Sequence, residues 1–392
     1  MRIILILTLL LTPTYTARFG LFNFPTNLLM VWVVLFWLIF SAWIIKNKKT
    51  DLLITHLKNT SKKFLALIIL FFIAGVISLI INGFSIPKLG QFLILFIQPI
   101  SVYFIAKFIY EQYPNAKHAV LHAIYYIVAV SGLYAIIQYI TLLGLPTAYW
   151  GNSIEPKRAV AFFSHPNFYA LWLSPLMALL IPDLGIKITS LKQNWFFIIA
   201  WILGGLGLAL SFSRAGWLGL GVAIGVYTLI AGDKKIRKII FITFILTTLT
   251  IIATPNLRYR FLLPFYGEKS AVSRLSLWNT GIKAIQESPV FGLGLTGFSN
   301  NWERLNTDPN LETHNFPHNI FLNFWVETGL LGLVSFVGMV VMLIYKGFKN
   351  RSNIFLLGTS LFLITIITQG QIDNPYFKND LAMVFWIILA LI

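Results

Sequence analysis

Twelve long runs of hydrophobic residues, separated by polar segments, recur along the chain. Most of these runs approach the roughly 20 apolar residues that a helix needs to cross a bilayer. They cover residues 3–17, 26–45, 64–82, 89–106, 119–143, 160–182, 195–213, 215–232, 239–254, 319–345, 354–370 and 379–392. The first could instead be a signal peptide, because it follows Arg2 and ends in small residues. The pattern predicts an all-α, polytopic integral membrane protein, a helical bundle of about twelve transmembrane helices.

The composition supports this class. Of the 392 residues, 57% are hydrophobic and 11% are charged, whereas about a quarter of the residues in an average soluble domain are charged. So few charges cannot cover the surface of a globular protein of this length, which excludes an ordinary soluble enzyme. The chain has no cysteine, which excludes disulfides, thiolate metal sites and cysteine nucleophiles.

The basic residues predict the orientation of the helices. Together with Arg2, the alternate loops 46–63, 107–118, 183–194, 233–238 and 346–353 hold 18 lysines and arginines, while the short loops between them hold six. Loops rich in Lys and Arg stay in the cytoplasm, so we expect both termini there and one large extracytoplasmic loop, 255–317. The net charge of +17 then reflects topology and contact with anionic lipids, with no nucleic acid as partner.

Two clusters of polar residues fall at the predicted outer ends of spans. Arg214 interrupts a long uncharged stretch, so it marks a turn between two helices. It either reaches the membrane interface from a helical hairpin or binds phosphate with its guanidinium group. The glycines that follow it indicate close helix packing. Arg158 and the run His165-Pro166-Asn167 add charge and polarity, and Asn167 is suited to capping a helix or binding sugar hydroxyls.

The large loop contains a predicted amphipathic helix over 273–287. Leu275, Trp278, Ile282 and Ile285 recur at helical spacing, which is typical of a helix lying on a membrane surface. Arg274 would then face either solvent or a lipid-borne diphosphate. The following run, 292–297, has the letters G-x-G-x-x-G but lacks the surrounding strand and helix of a dinucleotide site. We interpret it as a flexible turn whose N–H groups could hold phosphate.

A histidine-rich segment, 314–319, precedes a long hydrophobic helix. His318 would lie at the outer end of that helix, where anions are favoured, and its imidazole could act as a general base or as a helix cap. On an ideal helix, Gly329 and Gly332 share the face of His318 and predict a smooth packing seam. Glu327, about 13 Å deeper at 1.5 Å per residue, either functions inside the membrane or fastens two helices.

In their order along the chain, these motifs resemble the O-antigen ligase and polymerase superfamily. The resemblance covers about residues 155–345. It rests on Arg158 with His165–Asn167, on Ser213–Trp217, on Arg274–Trp278, on Pro289–Gly297 and on His318–Asn319 followed by Gly329–Gly332. Residues 1–150 would then supply about five N-terminal spans, and residues 151–392 would form the catalytic region with the large loop.

The resemblance implies a glycosyltransferase of the bacterial inner membrane that acts on the extracytoplasmic face without metal or other cofactor. Its donor would be a glycan carried on undecaprenyl diphosphate. Its acceptor would be lipid A–core, another lipid-linked repeat unit or a protein, so that the enzyme is either a ligase or a polymerase.

The residue roles implied by the resemblance follow the matching motifs. Arg214 and Arg274 would bind the diphosphate, and His318 would assist attack by the acceptor hydroxyl, with Asp308 and Glu312 as alternative bases. Further contacts to diphosphate or glycan are expected from a second group of residues. These are Arg158, His165, Asn167, His314 and Asn319.

Two other functions are compatible with parts of the sequence. A transporter of bicarbonate or another small anion would explain the number of spans and the buried Glu327, but it leaves the outer loop, arginines and histidine unexplained. A non-catalytic partner in an envelope complex is the third alternative.

Overall fold

The computed structural model of the protein describes most of the chain in two compact units. The described residues are 1–21, 24–59, 61–81, 83–152, 156–187, 191–231, 237–238, 253, 258, 269–306, 308 and 311–392. The first unit comprises 1–120, 274–343 and 370–392, and the second comprises 121–273 and 344–369. The predicted ninth span, 239–254, and the first part of the predicted large loop lie almost entirely outside the described residues.

The first unit begins with short elements and then becomes a set of long apolar helices. Its N-terminal part comprises α1 (Arg2–Leu10), a 3-10 helix (Thr12–Thr16), the antiparallel strands β1 (Arg18–Leu21) and β2 (Phe24–Asn27), α2 (Leu28–Lys46), α3 (Thr50–Asn59), α4 (Lys62–Ile80), α5 (Ile86–Phe92), a π-helical turn (Leu93–Ile97) and α6 (Gln98–Gln112). Helix α7 (Ala116–Thr141) leads from the first unit into the second.

The second unit is built around α8 (Pro166–Lys187), whose side chains are buried along almost its whole length. Helices α9 (Leu191–Leu210) and α10 (Arg214–Ile230) follow it. Helix α15 (Ile354–Gln369) returns to pack against α8 and α10. Close approach at these contacts depends on small residues, since a Cβ added at Gly216 would lie 2.8 Å from the Cβ of Ala170.

The remaining elements lie in the C-terminal part of the chain. They are α11 (Lys269–Glu287), α12 (Gly297–Asn300), α13 (Trp302–Leu305), α14 (Ile320–Lys349) and α16 (Asn379–Leu389). Except for the ends of α11 and α14, they belong to the first unit.

Seven of the described helices are long and apolar enough to cross a membrane. They are α2, α4, the continuous helix Ile86–Gln112, α7, α8, the Gln193–Leu210 part of α9, and α14. The shorter apolar helices α10, α15 and α16 coincide with three more predicted spans. The predicted first span is instead two short helices with Pro13 at the start of the second, where a proline ends the α-helical hydrogen bonding. The chain is therefore a helical protein of several membrane spans, and the count of twelve stays a prediction.

Helix α14 is broken at Gly329, which differs from the straight span that the sequence predicts. Gly329 has φ 67° and ψ −174°, a conformation that glycine adopts without steric cost. The segment before α12 packs into this break, and a Cβ added to Gly329 would lie 2.4 Å from the carbonyl oxygen of Val290. The predicted smooth seam through His318, Gly329 and Gly332 is wrong, because helical periodicity does not continue across a break.

Helix α11 confirms the predicted amphipathic helix, but its buried face differs in detail. Leu277 and Ala284 are buried in a cluster with Phe298, Trp302, Leu305 and Val326, and Ile285 packs against it. Leu275 and Ile282 are exposed. The helix thus buries one side against the protein and leaves two apolar side chains available to lipid.

Candidate functional site

His318 pairs with an aspartate that lies 55 residues later in the chain. Its Nδ1 is 3.2 Å from Oδ1 of Asp373. The imidazole is 30% exposed, whereas the side chain of Asp373 is 6% exposed. The backbone of His318 has φ 50°, a left-handed conformation that is uncommon for a residue with a side chain. The imidazole is therefore held on one side by a buried carboxylate and reaches solvent on the other.

Three hydrogen bonds fix the segment that carries Asp373. The N–H of Ile320 donates to the carbonyl of Gly370 over 2.7 Å. The side-chain amide of Asn319 donates to the carbonyl of Gln371 over 3.2 Å. Nε of Arg274 donates to the carbonyl of Ile372 over 2.9 Å. Arg274 and His318 therefore bind the same short segment, so the structure brings together two of the three predicted catalytic residues.

Asp373 is an anion at neutral pH. Burial by itself raises the pKa of this carboxyl, but the hydrogen bond and charge of His318, the N–H of Asn374 and the charge of Arg274 together outweigh it and hold the pKa at about 2. A carboxylate in this position orients the imidazole.

Aromatic contacts extend the site from His318 towards α13. The ring of His314 lies 5.8 Å from that of His318 and 5.7 Å from that of Trp302. Nδ1 of His314 is 2.7 Å from the main-chain carbonyl of Glu312. The indole N–H of Trp278 donates to the carbonyl of His318 over 3.4 Å.

The predicted binding residue Asn319 caps α14. Its Oδ1 accepts hydrogen bonds from the N–H groups of Phe321 and Leu322 over 3.0 and 3.1 Å. These bonds satisfy two donors that have no partner within the helix. Asp308, one of the alternative bases, accepts a long hydrogen bond of 3.4 Å from the hydroxyl of Ser276.

The other predicted residues belong to the second unit, where Arg158 organises a cluster of its own. Its Nε donates to the carbonyl of Ser211 over 3.0 Å, and its Nη2 donates to Oδ1 of Asn167 over 2.8 Å. The N–H of Asn167 donates to Nδ1 of His165 over 3.0 Å, so His165 acts as a cap at the start of α8. The first turn of α8 is thereby tied to the turn after α9.

Arg214 is the first residue of α10 and follows that same turn. Phe212, two residues earlier, has φ 50°, and the side chain of Arg214 is half-buried. The helix-packing interpretation holds for Gly216 and Gly219, whose added Cβ atoms would lie within 3 Å of neighbouring side chains. At Gly221 and Gly225, no atom of the described residues lies within 4 Å of an added Cβ.

The glycine-rich run 292–297 is a packing element. Gly292 and Gly294 have φ values of 69° and 78°. The N–H groups of Leu293 and Leu295 donate to the carbonyls of Val326 and Ser78 over 2.6 and 3.2 Å. Because these donors are engaged within the protein, the expectation that they hold phosphate is wrong.

Glu327 completes the attachment of this run. Its side-chain oxygens accept hydrogen bonds from the N–H groups of Thr296 over 2.7 Å and Phe298 over 3.5 Å, and its main-chain carbonyl accepts from the hydroxyl of Ser78. Glu327 is fully buried. It therefore fastens α14 to the turn before α12, which matches the structural alternative for this residue.

Asp373 is the residue that the sequence analysis missed. A signal was present, because Asp373 lies in the polar segment between the last two predicted spans. The predicted topology places that segment on the same side as His318, so a search for a carboxylate partner in the outer loops would have reached it.

Comparison with known proteins gives one matching family model and one similar protein. Residues 198–337 match the family model described as O-Antigen ligase. This range includes Arg214, Arg274 and His318 and ends before Asp373. An uncharacterized protein of Haemophilus influenzae is 25% identical over 313 residues, which cover 74% of this chain and 74% of that protein.

Proposed function

We propose, from the match of residues 198–337 to the O-antigen ligase family model, that the chain transfers a glycan from a lipid diphosphate to an acceptor hydroxyl. The family match supports a membrane enzyme related to lipopolysaccharide. The finer assignment, an undecaprenyl-diphosphate donor used on the extracytoplasmic face of the bacterial inner membrane, is our proposal. The observation that carries it is the His318–Asp373 pair beside Arg274.

His318 is proposed as the general base. When Nδ1 donates to the Asp373 carboxylate, Nε2 carries the lone pair that accepts a proton. The acceptor oxygen attacks C1 of the donor sugar, its proton passes to His318, and the bond between C1 and the diphosphate oxygen breaks. The buried anion of Asp373 stabilises the imidazolium that forms, as in other pairs of histidine and carboxylate.

The two arginines are proposed to act on the leaving group. Negative charge builds on the diphosphate as its bond to C1 breaks, and a guanidinium group aimed at those oxygens stabilises the transition state more than the ground state. Arg274 is held beside the Asp373 segment by its hydrogen bond to Ile372. Arg214 is assigned this role by its place in the family motif, and Arg158, His165 and Asn167 are proposed to contact the diphosphate or glycan.

The structure weakens the argument for the transporter alternative. That alternative relied on Glu327 as an intramembrane acid, and Glu327 is occupied by the N–H groups of Thr296 and Phe298. A transporter would take up solute into vesicles that lack any lipid-linked sugar and would lose uptake in Glu327→Gln. The transferase would be inactive in such vesicles.

The test is transfer by the purified protein in lipid nanodiscs. The protein is given a defined undecaprenyl-diphosphate glycan and candidate acceptors, and products are read by gel mobility. We expect His318→Ala and Asp373→Asn to lower kcat by about 100-fold or more, as for loss of a general base or its partner. His118→Ala, an exposed histidine in a predicted cytoplasmic loop, should transfer at the wild-type rate. Wild-type transfer by both site variants would contradict the proposed centre.

A further inference from the structure

A polar cavity of about 460 Å³ lies in the first unit, on the short helices α12 and α13. Residues 299–304 and Thr313 form its lining. Its volume is in the range of small-ligand pockets in proteins. Trp302 links it to the proposed centre, because its ring lies 5.7 Å from the ring of His314, which in turn lies 5.8 Å from that of His318.

The lining offers both hydrogen-bond donors and acceptors in a small space. Asn300 and Asn301 contribute amides, Ser299 and Thr313 contribute hydroxyls, and Glu303 contributes a carboxylate. A sugar ring carries neighbouring hydroxyls that each donate and accept. Amide and carboxylate groups can bind such hydroxyls in pairs.

The charges of the cavity do not favour a phosphate. Its cation is Arg304. Nη1 of Arg304 donates to Oε1 of Glu287 over 2.5 Å, and its Nη2 donates to Oδ1 of Asn301 over 3.0 Å. Glu303 adds a second carboxylate. Because the guanidinium of Arg304 is already paired with a carboxylate and Glu303 adds a further negative charge, the lining would repel a dianionic diphosphate. It suits an uncharged ligand.

The lining is held in place before any ligand arrives. The amide of Asn301 donates to the carbonyl of Gly297 over 2.8 Å, and the amide of Asn300 donates to the hydroxyl of Thr296 over 2.9 Å. Trp302 is 4% exposed and packs against Phe298. Polar groups fixed in this way lose little conformational entropy on binding.

We propose that this cavity binds a neutral sugar of the glycan that is transferred or of the glycan that accepts it. The inference rests on the proposed function, because it names the class of ligand that lies beside the same histidine. The cavity thereby separates recognition of sugar from recognition of diphosphate, which the arginines carry.

Equilibrium binding tests the cavity without the reaction. The protein in nanodiscs is titrated with three probes: the donor glycan released from its lipid by mild acid, the lipid-free oligosaccharide of the acceptor, and undecaprenyl diphosphate without sugar. We expect Asn300→Ala and Glu303→Gln each to raise the Kd of one of the two oligosaccharides about tenfold, as for loss of one or two hydrogen bonds. The oligosaccharide that is affected identifies the source of the sugar, and the Kd of undecaprenyl diphosphate should not change.

Gln286→Ala is the matched control, since it removes an exposed amide from α11 outside the cavity lining. It should bind all three probes as the wild type does. Wild-type binding of both oligosaccharides by Asn300→Ala and Glu303→Gln would overturn the inference, while active transfer by the wild-type protein would leave the proposed function intact. Conversely, absence of transfer by the wild type would contradict the proposed function, and oligosaccharide binding would still test the cavity.

Discussion

At the scale of single residues, the local charge environment of Asp373 decides the chemistry of His318. A carboxyl that is 6% exposed would normally hold its proton more tightly than in water. Hydrogen bonds from His318 and the N–H of Asn374, with the charge of Arg274, reverse that tendency. The histidine therefore faces a permanent anion, which favours the tautomer with Nδ1 protonated.

The depressed pKa of Asp373 predicts a particular dependence of stability on pH. Its folded pKa of about 2 lies below the value of about 3.9 expected in an unfolded chain. The carboxylate therefore stabilises the fold above about pH 4, and this contribution, about 3 kcal/mol, is lost as the pH falls towards 2. Thermal unfolding of the wild type and of Asp373→Asn should differ most at pH 5 to 7 and converge by about pH 2.

The control for this measurement is Asp308→Asn, which changes a partly exposed carboxylate in the large loop. The difference in thermal unfolding between this variant and the wild type should not show the change between pH 2 and pH 5 that we expect for Asp373→Asn. A difference between the wild type and Asp373→Asn that stays constant from pH 7 to pH 2 would contradict the role assigned to the ionised carboxylate.

At the scale of secondary-structure elements, the break in α14 creates room for the turn before α12. The N–H of Leu330 donates to the carbonyl of Val290 over 2.9 Å, which satisfies a donor released by the break. Glu327, two residues before the break, binds the N–H groups at the start of α12. The break thus anchors the large loop, including the cavity on α12 and α13, to a membrane helix.

This arrangement predicts that Gly329→Ala is strongly destabilising. The new Cβ would lie 2.4 Å from the carbonyl oxygen of Val290, and the alanine would have to adopt a positive φ. We therefore expect the free energy of unfolding to fall by about 3 kcal/mol or more. Thermal unfolding in detergent measures it. Gly221→Ala is the matched control, because no atom of the described part of the chain lies within 4 Å of its added Cβ. It should be neutral or slightly stabilising, as alanine is in a helix. Equal stabilities of the two variants would contradict the packing described for Gly329.

At the scale of the whole molecule, the proposed chemistry depends on which side of the membrane each loop occupies. The distribution of lysine and arginine predicts that the large loop is outside and that 346–353 is inside. The chain contains no cysteine, so a single introduced cysteine gives labelling without background.

We therefore predict the labelling of two exposed positions by a membrane-impermeant maleimide. Glu312→Cys, in the large loop, should react in intact spheroplasts, whereas Arg351→Cys should react only after the membrane is permeabilised. Variants that still transfer glycan make the result meaningful for the active protein. The reverse pattern would place His318 on the side away from the proposed substrates and would contradict an extracytoplasmic site.

The sequence by itself predicted most of the apolar helices, an orientation in the membrane and most of the candidate residues. Hydrophobic length and the position of basic residues are local properties, and the motifs around Arg214, Arg274 and His318 are short enough to recognise without a structure. The amphipathic helix over 273–287 was predictable for the same reason, since its signal lies within one element.

Only the tertiary structure decided which of these residues touch. Asp373 reaches His318 across 55 residues, and Glu327 reaches Thr296 across 31, and such pairings depend on how helices pack. The break at Gly329 was hidden for the same reason, because a glycine inside an apolar run is compatible with a straight helix until another segment is seen to enter it. Local patterns specify elements, whereas the partners of buried polar groups are set by the packing of the whole chain.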